Sequence, residues 1–292
     1  MNAQKKVVLF FLVTQLIGIF ILSYYIDFPS SATEQQTVIH DTYVVAPPQV
    51  ENETFTFLTI IVAIILGTIL LFTLIKYQFI RIWKLWFFLS IVIALYFSFT
   101  PFTAFISVIY VPFTLAILFA YLKITNKHQT INNATELFIY PGIAAIFVPI
   151  INIYSAFALI FFLAMYDIYM VNKSKHMVTL AKAQLKNRLF AGLSFGHAHK
   201  ISSKTEQQPI KNNTKKTVDG AVLGGGDLFI PLVFAGAAMK YTGSVFTGIS
   251  IGIFATISLM ILYAISTKGR FYPAIPFVGA GSIVGFFLSF LF

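Results

Sequence analysis

Two carboxylates of this chain stand where carboxylates are costly. Of its ten acidic residues, Asp27, Glu34, Asp41, Glu51 and Glu53 share one polar stretch near the N-terminus, and Glu136, Glu206 and Asp219 fall in or beside polar connections. Asp167 and Asp227 remain, each inside an apolar run, with no basic residue in such a run to neutralise either. An ionisable group at the middle of a membrane helix costs about 2.5–3.5 kcal/mol on insertion scales, which makes each a candidate functional group. Asp167 precedes Lys173 by six residues and Asp227 follows Asp219 by eight. At a rise of about 1.5 Å per residue, both lie roughly 9 to 12 Å below the same boundary.

If the two helices are antiparallel neighbours, the carboxyls meet at one level. Two carboxylates that close in a low dielectric cannot both ionise, so the pair holds one proton jointly and titrates as a unit. Such a pair can hydrolyse a peptide. The ionised member takes a proton from a water attacking the carbonyl, and the protonated member donates to the carbonyl oxygen. One acid alone is explained as well by a hydrogen bond to a hydroxyl such as Tyr169 or to backbone; two at matched depth favour the pair.

The elements that must position these acids are helices in a bilayer. The 292 residues are 58% hydrophobic and 10% charged, against an average near 25% charged, which excludes a soluble domain. Nine apolar runs separate at charges and turn residues: 7–26, 55–75, 85–100, 102–122, 137–150, 153–171, 220–239, 244–266 and 271–291. The expected fold is an all-α polytopic membrane protein of about nine transmembrane helices. The stretch 137–171 is too long for one span and is divided near Ile151 and Asn152, where Pro141, Pro149 and Asn152 favour a break. The first run exceeds the 7–15 residues of a typical signal peptide core, although Ser30-Ser31-Ala32 is a passable cleavage site. The chain thus divides into three parts: 1–171 with the first acid, a basic loop 172–219, and 220–292 with the second acid. With no cysteine, disulfides, thiol nucleophiles and thiolate metal sites are excluded.

Every Lys and Arg except Lys240 falls on one side of this layout, ten of them between Lys173 and Lys216, while the first loop has none. The positive-inside rule then makes the N-terminus cytoplasmic and, with an odd number of spans, the C-terminus external. The formal net charge of +10 is explained by topology and anionic lipid, and nucleic acid is not expected as a partner.

Around the second acid, Asp227 follows Gly224, Gly225 and Gly226 and precedes Pro231 by four residues. Glycines there permit close backbone approach or an unwound turn, and the proline frees the carbonyl of Asp227. The alternative is that Gly220 and Gly224 form a small-residue face for helix packing.

Tyr166-Asp167 in the sixth run, Gly224-Gly225-Gly226-Asp227 in the seventh and Pro273-Ala274-Ile275 at the start of the ninth resemble, in order and in span number, the Tyr-Asp, Gly-x-Gly-Asp and Pro-Ala-Leu signatures of the presenilin and signal peptide peptidase family. Lys175-His176-Met177, with Leu180-Ala181 after it, is similar to the stretch just after the first aspartate in archaeal members. The resemblance implies an intramembrane aspartyl endopeptidase that cuts transmembrane helices, with Asp167 and Asp227 as the catalytic pair and without a cofactor or metal. It also implies that Tyr166, the three glycines, Pro273, Ala274 and Ile275 shape the site. Ile275 departs from the usual leucine; the swap keeps the volume and moves the branch to Cβ, with an expected effect on substrate preference more than on activity. Orientation by charge is that of presenilins. The expected substrates are single-span membrane proteins or signal-peptide-like helices, in what the missing cysteines and targeting signal leave compatible with a prokaryotic plasma membrane. A homo-oligomer stays open.

Within 172–219, Val178, Ala181, Leu185, Leu189 and Leu193 recur at three or four residues with Lys182, Lys186 and Arg188 between them. This suggests a basic amphipathic helix on the membrane surface, or else a solvated loop with incidental periodicity. Residues 202–217 read as flexible linker. In the family, cutting between these spans can mature the enzyme, and no cleavage site is legible here. Gly192-Leu193-Ser194-Phe195-Gly196 fits the nucleophile-elbow pattern but lacks the α/β sheet that motif needs. His197 and His199, without acids or cysteines nearby, read as solvated, and Asn52-Glu53-Thr54 is a glycosylation sequon of no catalytic meaning. The main rival is a proton- or cation-coupled secondary transporter using the same acids. It predicts an inverted repeat and a pathway open to both faces, whereas the acids are displaced to one face and no repeat is visible. Prepilin peptidases also carry a Gly-x-Gly-Asp-like motif, but in a cytoplasmic setting.

Overall fold

The computed structural model describes residues 3–26, 80–104, 110–125, 128–173, 192–196, 220–266 and 272–291, with positions 62, 66, 67, 70, 73 and 77. Apart from those single positions, the second expected span 55–75, the first loop with its sequon, the amphipathic segment up to Leu189, His197, His199 and the linker 202–217 lie outside the described residues.

The described chain runs α1 (Ala3–Tyr25), α2 (Ile80–Thr103), α3 (Tyr110–Thr125), α4 (Gln129–Phe147), α5 (Ile153–Lys173), β1 (Gly192–Gly196), β2 (Gly220–Gly224), α6 (Gly225–Thr242), α7 (Val245–Ile265) and α8 (Ile275–Leu288). Four helices, Ala3–Tyr25, Lys84–Thr103, Ile153–Val171 and Val245–Ile265, are long and apolar enough to cross a membrane, and α3 and α8 are apolar but shorter. Eight helices are bounded among the described residues, and positions 62, 66, 67, 70 and 73, within the second expected span, are helical as well. Three expected boundaries also move, because hydropathy alone places an end wherever polarity appears: α2 continues to Thr103, past the expected start of the fourth run at 102, and α3 is bounded from Tyr110. Helix α4 starts at Gln129, well before 137, and α6 starts at Gly225, after a strand that the seventh run had absorbed. The division within 137–171 falls where expected: the Asn152 side chain accepts the N–H of Ser155 at 2.7 Å, capping α5.

Helix α6 is the centre of the bundle. Leu228, Leu232, Val233, Phe234, Ala235, Ala237, Ala238 and Met239 are all buried, and the helix packs on α1, α4, α5, α7 and α8. A helix apolar on every side requires such a position. Phe234 meets Phe157 of α5 edge-on at 4.9 Å and Phe286 of α8 at 5.9 Å, tying together the helix that bears Asp167, the helix that bears Asp227 and the last helix. Gly243, in the left-handed region at φ 68°, ends α6. Lys240, the one basic residue that the expected layout leaves off the charged side, donates to the carbonyl of Pro149 at 3.2 Å. That contact lies about 20 Å along α6 from Asp227.

The two strands pair antiparallel, Gly192 opposite Gly224 and Ser194 opposite Val222. The pairing was invisible to local periodicity, since a long polar stretch separates its halves. It also excludes the helix-packing reading of Gly220 and Gly224, because both lie in β2. The nucleophile-elbow residues form β1 itself, with no strand-to-helix turn, and Leu193, expected in the amphipathic helix, is buried in that strand. Asn133 of α4 donates to the Ser194 carbonyl at 2.7 Å and accepts its N–H at 3.2 Å. Gln129 donates to the same carbonyl. The outer edge of β1 is thus closed by α4 side chains, and Phe195 packs edge-on against Phe10 of α1 at 4.9 Å.

Glu136, expected beside a cytoplasmic connection, is buried inside α4 and forms an ion pair with buried Lys123 of α3. Lys123 also donates to Asn132 Oδ1 at 2.8 Å. The correction has its cause in the early start of α4, which carries the acid into the bundle. Removing one partner of a buried pair strands the other charge, so Lys123→Ala is expected to destabilise the protein by about 3–5 kcal/mol. Lys123→Met combined with Glu136→Leu is expected to cost far less. Denaturant unfolding in detergent reads the difference.

Candidate active site

Each aspartate is held at the N-terminal end of a helix. Asp227 is the third residue of α6, and its Oδ2 accepts the N–H of Gly224, the residue that caps the helix, at 3.2 Å. An acid in the first turn also faces the positive end of the helix dipole. Asp167, buried on α5, uses its Oδ2 to accept the N–H of Ile275, the first residue of α8, at 3.2 Å. Ala274 caps that helix, and Pro276 occupies its first turn, where a missing N–H costs nothing. The two carboxylates lie within electrostatic range of each other.

The structure therefore brings together Asp167, Asp227, Gly224, Ala274 and Ile275. The contribution of the Pro273-Ala274-Ile275 segment to Asp167 is a backbone amide, which explains how isoleucine can stand in place of leucine. Pro273 is half-buried and Ala274 buried. The three glycines differ. A Cβ at Gly225 would lie 2.5 Å from the Tyr140 hydroxyl and 2.6 Å from its ring, whereas one at Gly226 would meet nothing within 4 Å. Tyr166 lies on the outer side of α5, 51% exposed, so it is not gathered into the cluster.

Three residues near Asp227 were not foreseen. Tyr140 of α4 and Tyr263 of α7 both lie within its electrostatic range. Gln15 of α1, fully buried, donates to the carbonyl of Leu228 at 3.1 Å, beside the carbonyl of Asp227 that Pro231 leaves without its helical donor. A lone amide in the apolar run 7–26 was the available signal for Gln15. The signal for Tyr140 was its place one turn after Glu136, legible only once α4 is known to begin at Gln129.

The model of the family described as signal-peptide peptidase, presenilin aspartyl protease matches residues 7–292. Two solved structures, each of a presenilin family intramembrane aspartate protease and obtained in different space groups, are similar in fold. One has a TM-score of 0.64 at 16% identity, covering 99% of this chain and 98% of its own. The other has a TM-score of 0.58 at 16% identity, covering 98% and 96%. No curated protein matches. These findings define the class, a multi-pass membrane aspartic endopeptidase that acts on helical substrates in the bilayer. The chain belongs to the signal-peptide peptidase and presenilin aspartyl protease family. Nothing in the comparisons supports the transporter reading.

Proposed function

We propose that Asp167 and Asp227 are the catalytic pair, working on one water between them to hydrolyse a peptide bond of a transmembrane substrate. The observation that carries this is the convergence of the two acids from α5 and α6, each with one oxygen anchored by a backbone N–H at 3.2 Å. The backbone N–H of Ala274 also acts on Asp167, and anchoring by main-chain donors holds each acid in place while it exchanges a proton. The ionised acid accepts the proton of the attacking water and the protonated one donates to the scissile carbonyl oxygen.

A hydrogen-bonded helix hides its carbonyls, so the substrate must be unwound before attack. It enters laterally, opens near Gly224–Asp227 and the segment at Pro273, and lies extended. With β1 closed by Asn133 and Gln129, the edge of the sheet with no paired strand among the described residues belongs to β2, which leads directly into Asp227. An extended segment can add there as a further strand, its main-chain groups supplying affinity. Substrates are single-span proteins or signal-peptide-like helices. The protein sits in a prokaryotic plasma membrane as nine spans, N-terminus cytoplasmic and C-terminus external, alone or as a homo-oligomer.

The experiment is incubation of the purified protein in bicelles with a labelled single-span peptide, followed by mass analysis of the products. Native cleavage, lost in Asp167→Ala and in Asp227→Ala, supports the proposal; cleavage that survives either change defeats it. The same assay tests the role of α8. Ile275→Leu preserves the amide and the volume and is expected to leave the rate near native. Ile275→Pro deletes the N–H donated to Asp167 and is expected to slow cleavage by about 10- to 100-fold, the worth of one hydrogen bond to a charged group.

A further inference from the structure

Tyr140 is a buried phenol, 4% exposed, whose hydroxyl makes no hydrogen bond of ordinary geometry among the described residues and interacts only loosely with Glu136. Buried hydroxyls are ordinarily paired, and one held this loosely calls for an explanation. Two features give one. Its ring and hydroxyl lie directly on Gly225, two residues before Asp227, in space that exists only because that residue lacks a Cβ. On the other side stands Glu136, one helical turn earlier on α4, whose Oε1 is taken by Lys123 and whose Oε2 makes no hydrogen bond of ordinary geometry. The charged and titratable groups around the phenol are thus Glu136 on its own helix and Asp227 on α6, with Asp167 of α5 and Tyr263 of α7 next beyond Asp227.

We propose that Tyr140 is a positioning residue for the aspartate pair, its hydroxyl held in reserve between Glu136 and Asp227 to donate to the Asp227 carboxylate when substrate occupies the site. The inference rests on the catalytic reading of Asp167 and Asp227. Glu136, fixed by Lys123, holds the phenol from behind, and Gly225 lets it reach the turn that bears Asp227. A phenol whose partner at rest is a loosely placed carboxylate already paired with Lys123 can turn its proton to Asp227 at little cost.

A purely structural tyrosine and a positioning one respond oppositely to loss of the hydroxyl. Tyr140→Phe keeps the ring against Gly225 and deletes a buried hydroxyl that makes no hydrogen bond of ordinary geometry, so its thermal midpoint is expected to stay close to that of the native protein or exceed it. Cleavage of the labelled single-span peptide is expected to show kcat reduced about 10- to 100-fold with KM unchanged. Native kcat in a folded Tyr140→Phe protein would overturn the inference while leaving the catalytic pair intact. A fall in kcat together with a comparable fall in thermal midpoint would overturn it as well, in favour of simple packing. Absence of cleavage by the native protein would remove the catalytic reading and this inference with it.

Discussion

Asp167→Asn and Asp227→Asn are each expected to lower peptide cleavage by at least about 1,000-fold while leaving the bundle folded. Asparagine retains an oxygen to accept the N–H of Ile275 in the first case and of Gly224 in the second, so the contacts that hold the site persist. What is lost is the capacity to take up and release a proton. The two changes should be equally damaging, and the double variant no worse than either alone, because groups that act as a unit do not contribute additively. Removing one of two crowded acids also relieves their repulsion, so the thermal midpoint should hold or rise. Rates from the labelled single-span peptide, paired with thermal unfolding of the same samples, check both halves. A variant retaining a tenth of native activity would show that its acid does not take part in the chemistry.

Gly225→Ala is expected to be nearly as severe, and Gly226→Ala mild. The new methyl at 225 would lie 2.5 Å from the Tyr140 hydroxyl and 2.8 Å from the ring carbon that bears it. The ring is buried, so a change of rotamer needs room that the packed interior does not offer, and the first turn of α6 is expected to move instead, and Asp227 with it. Overpacking of this kind costs about 1–3 kcal/mol, and a displacement of about 1 Å at a reacting group can cost about 100-fold in rate. At 226 the methyl meets open space, and alanine is preferred over glycine in a helix by about 0.5–1 kcal/mol, so the fold should gain slightly. The pair is read by cleavage rate and thermal midpoint together. Equal rates for the two alanine variants would mean that the contact between Tyr140 and Gly225 does not set the position of Asp227.

The acids were legible in the sequence because charge inside an apolar run stands out against its surroundings, and the same contrast located α1, α5 and α7. It failed where polarity is satisfied within the protein. Gln129, Asn132, Asn133 and Glu136 read as a connection, yet each finds a partner on β1 or α3, which is why α4 extends over them. The sheet was missed for a related reason. Gly192–Gly196 and Gly220–Gly224 pair across a long separation, and only the tertiary structure shows that the first is sheltered by α4. The Pro273-Ala274-Ile275 segment was recognisable by resemblance, but its service to Asp167 is a main-chain N–H, which side-chain identities do not encode. Tyr166 shows the converse, a residue implied by resemblance whose side chain faces outward.

The central claim is that the acids of α5 and α6 jointly engage one tetrahedral oxygen. Its most direct measurement is the binding of a peptide isostere carrying a hydroxyl at the scissile position, titrated against the native protein and against Asp167→Asn and Asp227→Asn. Joint engagement predicts tight binding that competes with substrate and is weakened by at least about 100-fold in each variant, in keeping with the advantage of transition-state mimics over substrates. Binding of equal strength to the native protein and to either variant would contradict it.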